Sequence, residues 1–157
     1  MIRSRFVFSF FFVIFSLILC GCMTKDVTTR PEFSSVVGSC KRLKQDAFLG
    51  YHARFNEYHL DPNYHDYYQR KPEAVIEYLP AYSRFEVVKI FHESLGEGGY
   101  CWGVKVKILD GVHKGTVAKI PACFTENVPL WINLRFIEDA NKNALQIKDD
   151  FAVDCKK

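Results

Sequence analysis

The feature that most constrains the fold is an alternation of side chains on either side of a turn, in the segment YCWGVKVKILDGVHKGTVAKIPACF at residues 100–124. Apolar side chains occupy every second position from Tyr100 to Ile108, which is the period of a β-strand with one buried face. Asp110-Gly111 favours a turn, and Gly115 begins the return strand. The sequence therefore predicts a β-hairpin.

The hydrophobic pattern also predicts how the two strands of this hairpin pair. Three pairs place apolar residues against each other on the inner face: Val104 with Ile120, Val106 with Ala118, and Trp102 with Ala122. The same register gives three pairs on the outer face: Lys105 with Lys119, Lys107 with Val117, and Cys101 with Cys123. A slip by one residue would turn lysines toward the core, so this register is favoured although it opposes two lysines.

Three further segments are typical of strands: 40–52 (CKRLKQDAFLGYH), 57–60 (EYHL) and 84–93 (RFEVVKIFHE). The segment PEAVIEYLP has proline at both ends and predicts one short helix, with Pro72 in its first turn and Pro80 closing it. Several short strands with a glycine-containing hairpin predict a mainly β fold, a small antiparallel barrel that is partly open. Another small β-barrel or a sandwich is the alternative.

Two of these segments resemble parts of bacterial Src-homology-3-like barrels. They are the turn and strand LPAYSRFEVVKI, residues 79–90, and the hairpin ILDGVHKGTVAKI, residues 108–120. The resemblance implies this barrel type for the domain. Tyr82 stands at a position where such turns often have glycine.

The N-terminus has the layout of a secretory signal. Arg3 and Arg5 precede a mostly apolar run, residues 6–19, that is short for a permanent membrane span. The run ends in Leu19-Cys20-Gly21-Cys22, which resembles the lipobox of bacterial lipoprotein precursors. The resemblance implies that residues 1–21 are cleaved off and that Cys22 is acylated, so that membrane lipid is a partner through palmitate and related acyl chains.

The resemblance also implies a location and a domain plan. Met23 follows Cys22 where an aspartate would hold such a protein at the inner membrane, so we expect an outer-membrane anchor with the domain in the periplasm or at the cell surface. Residues 22–35 are polar with little periodicity and predict a flexible lipidated tether. Residues 36–157 are then a single disulfide-braced β domain.

In an exported chain of this kind the remaining cysteines predict disulfides. Pro121 has no amide proton and fits a non-hydrogen-bonded strand pair, and Cys101 and Cys123 belong to the same class of pair in the predicted register. Residues in such pairs have α-carbons about 4.5 Å apart, which a disulfide tolerates. We therefore predict a Cys101–Cys123 bridge and, by elimination, a Cys40–Cys155 bridge.

The densest group of chemically interesting side chains is the segment YHARFNEYHLDPNYHDYY, residues 51–68. Its histidines and aspartates are potential metal ligands, although their spacing matches no zinc pattern: His52, His59, His65, Asp61 and Asp66. We expect no metal. Tyr64, Tyr67 and Tyr68 are expected to be exposed and to bind a ligand, because tyrosine offers a large contact area with a polar tip.

The remaining composition narrows the function. The formal net charge is +3 and includes two arginines of the signal. A charge this small does not indicate nucleic-acid binding. The sequence has no phosphate-binding loop and no Gly-x-Ser-x-Gly motif, so we expect neither an enzyme nor a cofactor. We predict an outer-membrane lipoprotein whose domain binds an envelope protein or peptidoglycan. The alternatives are an inhibitor of a wall-degrading enzyme and a metal-dependent hydrolase that uses residues 52–66.

Overall fold

A computed structural model of the chain describes residues 24–61, 70–94, 100–122, 130–133 and 145–155. These residues form nine β-strands: β1 (Lys25–Asp26), β2 (Cys40–Leu43), β3 (Ala47–His52), β4 (Glu57–Asp61), β5 (Val75–Leu79), β6 (Arg84–Ser94), β7 (Tyr100–Ile108), β8 (Val117–Ile120) and β9 (Ala152–Asp154). They also include two single-turn 3-10 helices, Pro31–Phe33 and Pro72–Ala74. No helix within the described ranges is long and apolar enough to cross a membrane.

The strands form one sheet in the order β5-β3-β4-β8-β7-β6-β2-β9. Neighbours are antiparallel except for β4 and β8, which are parallel. The long strand β6 pairs with β2 near its start and with β1 near its end. The sheet resembles a barrel but is not closed. The prediction of a mainly β, partly open fold is thereby confirmed, but the prediction that it is antiparallel is wrong at the β4–β8 pair.

The hairpin of β7 and β8 has the predicted register. Four pairs match the sequence argument: Val104 with Ile120, Lys105 with Lys119, Val106 with Ala118, and Lys107 with Val117. Trp102 and Ala122 are both buried, as the inner face requires. Gly111 and Gly115 have φ values of 72° and 93°, a backbone conformation that glycine adopts without steric cost.

The predicted helix at residues 72–80 is wrong. A single 3-10 turn, Pro72–Ala74, gives way directly to strand β5, which pairs with β3. Val75 and Ile76 are β-branched, and one turn of helix offers too few hydrogen bonds to compete with a strand partner. Pro72 and Pro80 therefore lie on either side of strand β5 and not at the ends of a helix.

The expected flexible tether is instead part of the folded unit from Lys25 onward. Strand β1 pairs with β6, and the Val27 amide donates a 3.0 Å hydrogen bond to the Ile90 carbonyl. The side chains of Val27 and Phe33 have exposed fractions of only 2% and 1%. Phe33 meets Trp102 edge-on with ring centroids 5.1 Å apart. A few well-placed apolar residues thus hold a mostly polar segment against the sheet.

The core lies on the inner face of the sheet. Its largest fully buried side chains come from widely separated parts of the chain: Phe33, Leu49, Leu60, Phe85, Ile90, Trp102, Ile120 and Trp131. Near the C-terminus, Trp131 stacks on Phe151 with ring centroids 5.4 Å apart. A disulfide joins Cys40 of β2 to Cys155, just after β9, with α-carbons 5.5 Å apart. This is the bridge predicted by elimination, and it ties the first long segment of the domain to the last.

Candidate functional site

Several predicted site residues lie outside the described part of the chain. These are the acylation candidate Cys22, the three tyrosines proposed for ligand binding, and two of the candidate metal ligands: Tyr64, Tyr67, Tyr68, His65 and Asp66. Cys101 is buried and disulfide-bonded, and its predicted partner Cys123 also lies outside the described residues. The candidate site must therefore be built from other residues.

A charged cluster occupies the outer face where β4, β6, β7 and β8 run side by side; it consists of Glu57, His59, Glu93, Lys105 and Lys119. Lys105 Nζ lies 3.2 Å from Glu57 Oε2, and Lys119 Nζ lies 3.9 Å from Glu57 Oε1. Lys119 Nζ also donates a 2.5 Å hydrogen bond to Glu93 Oε1. The two opposed lysines, unfavourable in the hairpin alone, are thus compensated by carboxylates from neighbouring strands.

The electrostatics of the charged cluster favour a structural role. The pKa of Glu57 is lowered to about 2. The main cause is His59, whose Nε2 lies 3.4 Å from Glu57 Oε1. The two lysines lower the pKa further, and these effects together outweigh burial, which raises it. A general acid or base for neutral pH needs a pKa moved toward 7, which is the opposite direction. Glu57 is therefore a permanent anion that links strands.

An aromatic ring lies beside the charged cluster. The Nζ atoms of Lys105 and Lys119 lie 5.8 and 5.9 Å from the centroid of the Phe91 ring, within range of cation–π attraction. A Cβ atom at Gly103 would overlap this ring. The glycine therefore lets Phe91 lie across β7, and any larger residue at position 103 would displace the ring.

The histidine-rich segment forms no metal site in the described residues. His52 and His59 face each other with ring centroids 5.7 Å apart, but no group of three possible ligands is present in the described part of the chain. Asp61 is buried, and desolvation raises its pKa to about 6. The metal-dependent hydrolase stays a hypothesis, because His65 and Asp66 are outside the described residues.

A second surface forms where three turns meet at one end of the sheet; we name residues 44–46, 80–83 and 109–116 the three-turn surface. The Tyr82 amide donates a 2.8 Å hydrogen bond to the Leu43 carbonyl, and the Ala81 amide donates one of 2.8 Å to Asp46 Oδ1. The Arg84 side chain bonds the Asp110 carboxylate through Nη2 at 2.7 Å. These bonds join the three turns into one continuous surface.

Two large apolar side chains project from the three-turn surface. Tyr82 has an exposed fraction of 71% and Val112 one of 84%. The Ser83 amide donates a 3.1 Å hydrogen bond to the Pro80 carbonyl, and the φ of Tyr82 is 72°, as the third residue of a type II turn requires. Glycine is the ordinary residue there, and a side chain costs about 1 to 2 kcal/mol in this conformation.

The sequence contained one signal for this surface, namely a tyrosine at a turn position where glycine is usual. It gave no sign that the turns at residues 44–46 and 109–116 would join it, because their contacts depend on the folded sheet.

Comparisons with known proteins give no family for this chain: no protein-family model, no curated protein and no solved structure matches it.

Proposed function

We propose that this chain is a non-enzymatic lipoprotein of the outer membrane whose β domain binds a protein partner through the three-turn surface. The lipid anchor is proposed at Cys22, on the strength of the lipobox resemblance at residues 19–22. The domain would stand in the periplasm or at the cell surface. The binding role rests on the folded part of the chain.

The observation that carries this proposal is the exposed Tyr82 side chain in a backbone conformation that favours glycine. Backbone strain of this kind clusters at functional sites, so it supports a functional role for this turn. Exposed tyrosine is also a favoured residue for recognition, since its large rigid ring loses little conformational entropy on binding. Val112, on another turn of the same surface, is also exposed, and so is the charged side chain of Lys114.

A binding role also agrees with the charges of the domain. The most concentrated group of ionisable side chains, the charged cluster, neutralises itself through contacts of 2.5 to 3.9 Å. Within this cluster, the contacts of Glu57 lower its pKa. An anion paired in this way suits a structural role, which is consistent with the proposed binding function.

Site-specific photo-crosslinking in living cells tests this proposal. A benzophenone amino acid at position 82 should give one discrete covalent adduct with an envelope protein. The matched control places the same amino acid at position 55, because Phe55 is also exposed but lies in the turn between β3 and β4, at the other end of those strands. We expect no adduct from position 55.

The product of the crosslink distinguishes the outcomes. No adduct at position 82, or the same adducts from both positions, would show that the three-turn surface is not a specific binding site. An adduct that disappears on muramidase digestion would identify a cell-wall glycan instead of a protein. An adduct with a wall-degrading enzyme would support the inhibitor hypothesis, which an assay of that enzyme's activity with the purified protein would then measure.

A further inference from the structure

The first strand lies at the end of the sheet opposite the three-turn surface. In β1, Lys25 pairs with His92 and Asp26 with Phe91, both near the end of β6. The three-turn surface lies beside the start of the same strand, at Arg84. From Arg84 to His92 an ordinary strand rises about 25 Å. Because β1 is antiparallel to β6, Lys25 is the residue of β1 farther from the three-turn surface.

The chain between this strand and the proposed lipid anchor is very short. Only Met23 and Thr24 separate Cys22 from Lys25. Even a fully extended chain spans at most about 3.6 Å per residue, so the α-carbon of Cys22 lies within about 11 Å of that of Lys25. From Lys25 onward the residues predicted to form a tether belong to the folded unit and add nothing to this reach.

From these two facts we propose that the end of the domain that carries β1 rests directly on the lipid headgroups, and that the three-turn surface faces away from the membrane. The inference depends on the lipid anchor of the proposed function. It deepens that function, because the bound partner would be met on the side of the domain remote from the bilayer.

The residues at this end suit a headgroup layer. Lys25 is exposed, and Arg30 and Lys89 lie close by; Lys89 Nζ is 3.1 Å from Asp26 Oδ2. Desolvation, together with the charges of Arg30 and Lys25, lowers the pKa of His92 on the adjacent strand. The cations on the β1 end are balanced only in part by Asp26 and Glu32.

Lysine acetylation read by mass spectrometry tests the orientation with native residues. The protein is purified from membranes of the producing cells and reconstituted in vesicles of phosphatidylcholine and phosphatidylglycerol, which contain no amine. Lys25 should be acetylated severalfold more slowly in these vesicles than in vesicles of a variant with a lengthened connection, described below. Lys114, which is exposed on the three-turn surface, should react at the same rate in both.

A variant with twelve glycine and serine residues inserted between Thr24 and Lys25 is the matched control. It keeps the anchor but lengthens the connection, so the protection of Lys25 should disappear. If Lys25 reacted at the same rate in vesicles of the native protein and of the insertion variant, this inference would be overturned. The mass of the N-terminal peptide from the same sample separates the two proposals: an unmodified Cys22 overturns the lipid anchor itself, whereas an acylated Cys22 with unprotected Lys25 overturns only the orientation.

Discussion

At the scale of single residues, Tyr82 is where local preference and the folded structure disagree most. A type II turn favours glycine at this position, yet the chain has a large exposed side chain there. Asn56 also has a positive φ, of 52°, but asparagine tolerates this conformation and needs no special reason. The tyrosine therefore stands out as a residue retained against a conformational cost.

Replacing Tyr82 by glycine should stabilise the domain. Relief of the backbone strain should outweigh the greater entropy of glycine in the unfolded chain, leaving a gain of about 0.5 to 1 kcal/mol in the free energy of unfolding. Tyr82→Ala is the control, because alanine removes the ring but keeps the strain, and it should give no gain. Urea unfolding measures both variants. If Tyr82→Gly were the less stable of the two, the strain argument would be refuted.

At the scale of elements, the charged cluster shows why a hairpin cannot be judged alone. The alternation in β7 and β8 was sufficient to predict their register, including the opposed Lys105 and Lys119. Glu57, the carboxylate that contacts both lysines, comes from β4 and reaches them through the parallel pairing of β4 with β8. No local pattern predicts such a pairing. The sequence therefore predicted the two opposed lysines of the charged cluster but not the glutamate that contacts them.

Removing this carboxylate should weaken the sheet. We expect Glu57→Gln to lower the free energy of unfolding by about 1 to 2 kcal/mol at pH 7, because two partly buried lysines lose a charged partner. Glu86→Gln is the matched control, since Glu86 contacts a single, more exposed lysine, Lys107, at 2.8 Å. The control should lose less than Glu57→Gln.

The same variant predicts a pH dependence. Folding lowers the pKa of Glu57 from 4.5 to about 2, so its stabilising contribution is complete above about pH 4.5 and is lost as the pH falls toward 2. The difference in stability between wild type and Glu57→Gln should therefore shrink across this interval. Unfolding curves at several pH values measure it, and a difference that stayed constant from pH 7 to pH 2 would contradict the assignment.

At the scale of the whole molecule, the sequence predicted the class of fold and most strands but not the extent of the domain. Strand alternation is a local signal, and it identified β3, β4, β6 and the hairpin. The placement of residues 25–36 depends on single apolar side chains, such as Phe33 against Trp102, whose partners are far away in sequence. The same reason explains the mistaken helix at residues 72–80, where a strand partner decided the outcome.

The Cys40–Cys155 disulfide acts on the whole molecule, because it links residues 115 positions apart in sequence. Closing so long a loop restricts the unfolded chain, and the chain-entropy model gives about 4 to 5 kcal/mol of stabilisation. The double variant Cys40→Ser/Cys155→Ser should have a free energy of unfolding lower by this amount, measured by urea unfolding. That free energy should also fall more steeply with urea concentration, because the unfolded chain without the bridge is more expanded.

The control for this variant is Lys41→Gln, which breaks the exposed ion pair of Lys41 with Asp154 beside the bridge. An exposed pair of this kind contributes less than about 1 kcal/mol. If the double serine variant lost no more than this control, the β2–β9 pairing and the core beneath it would hold the two ends together without covalent help. A loss near the expected value would show that the bridge contributes a large part of the stability of the folded chain.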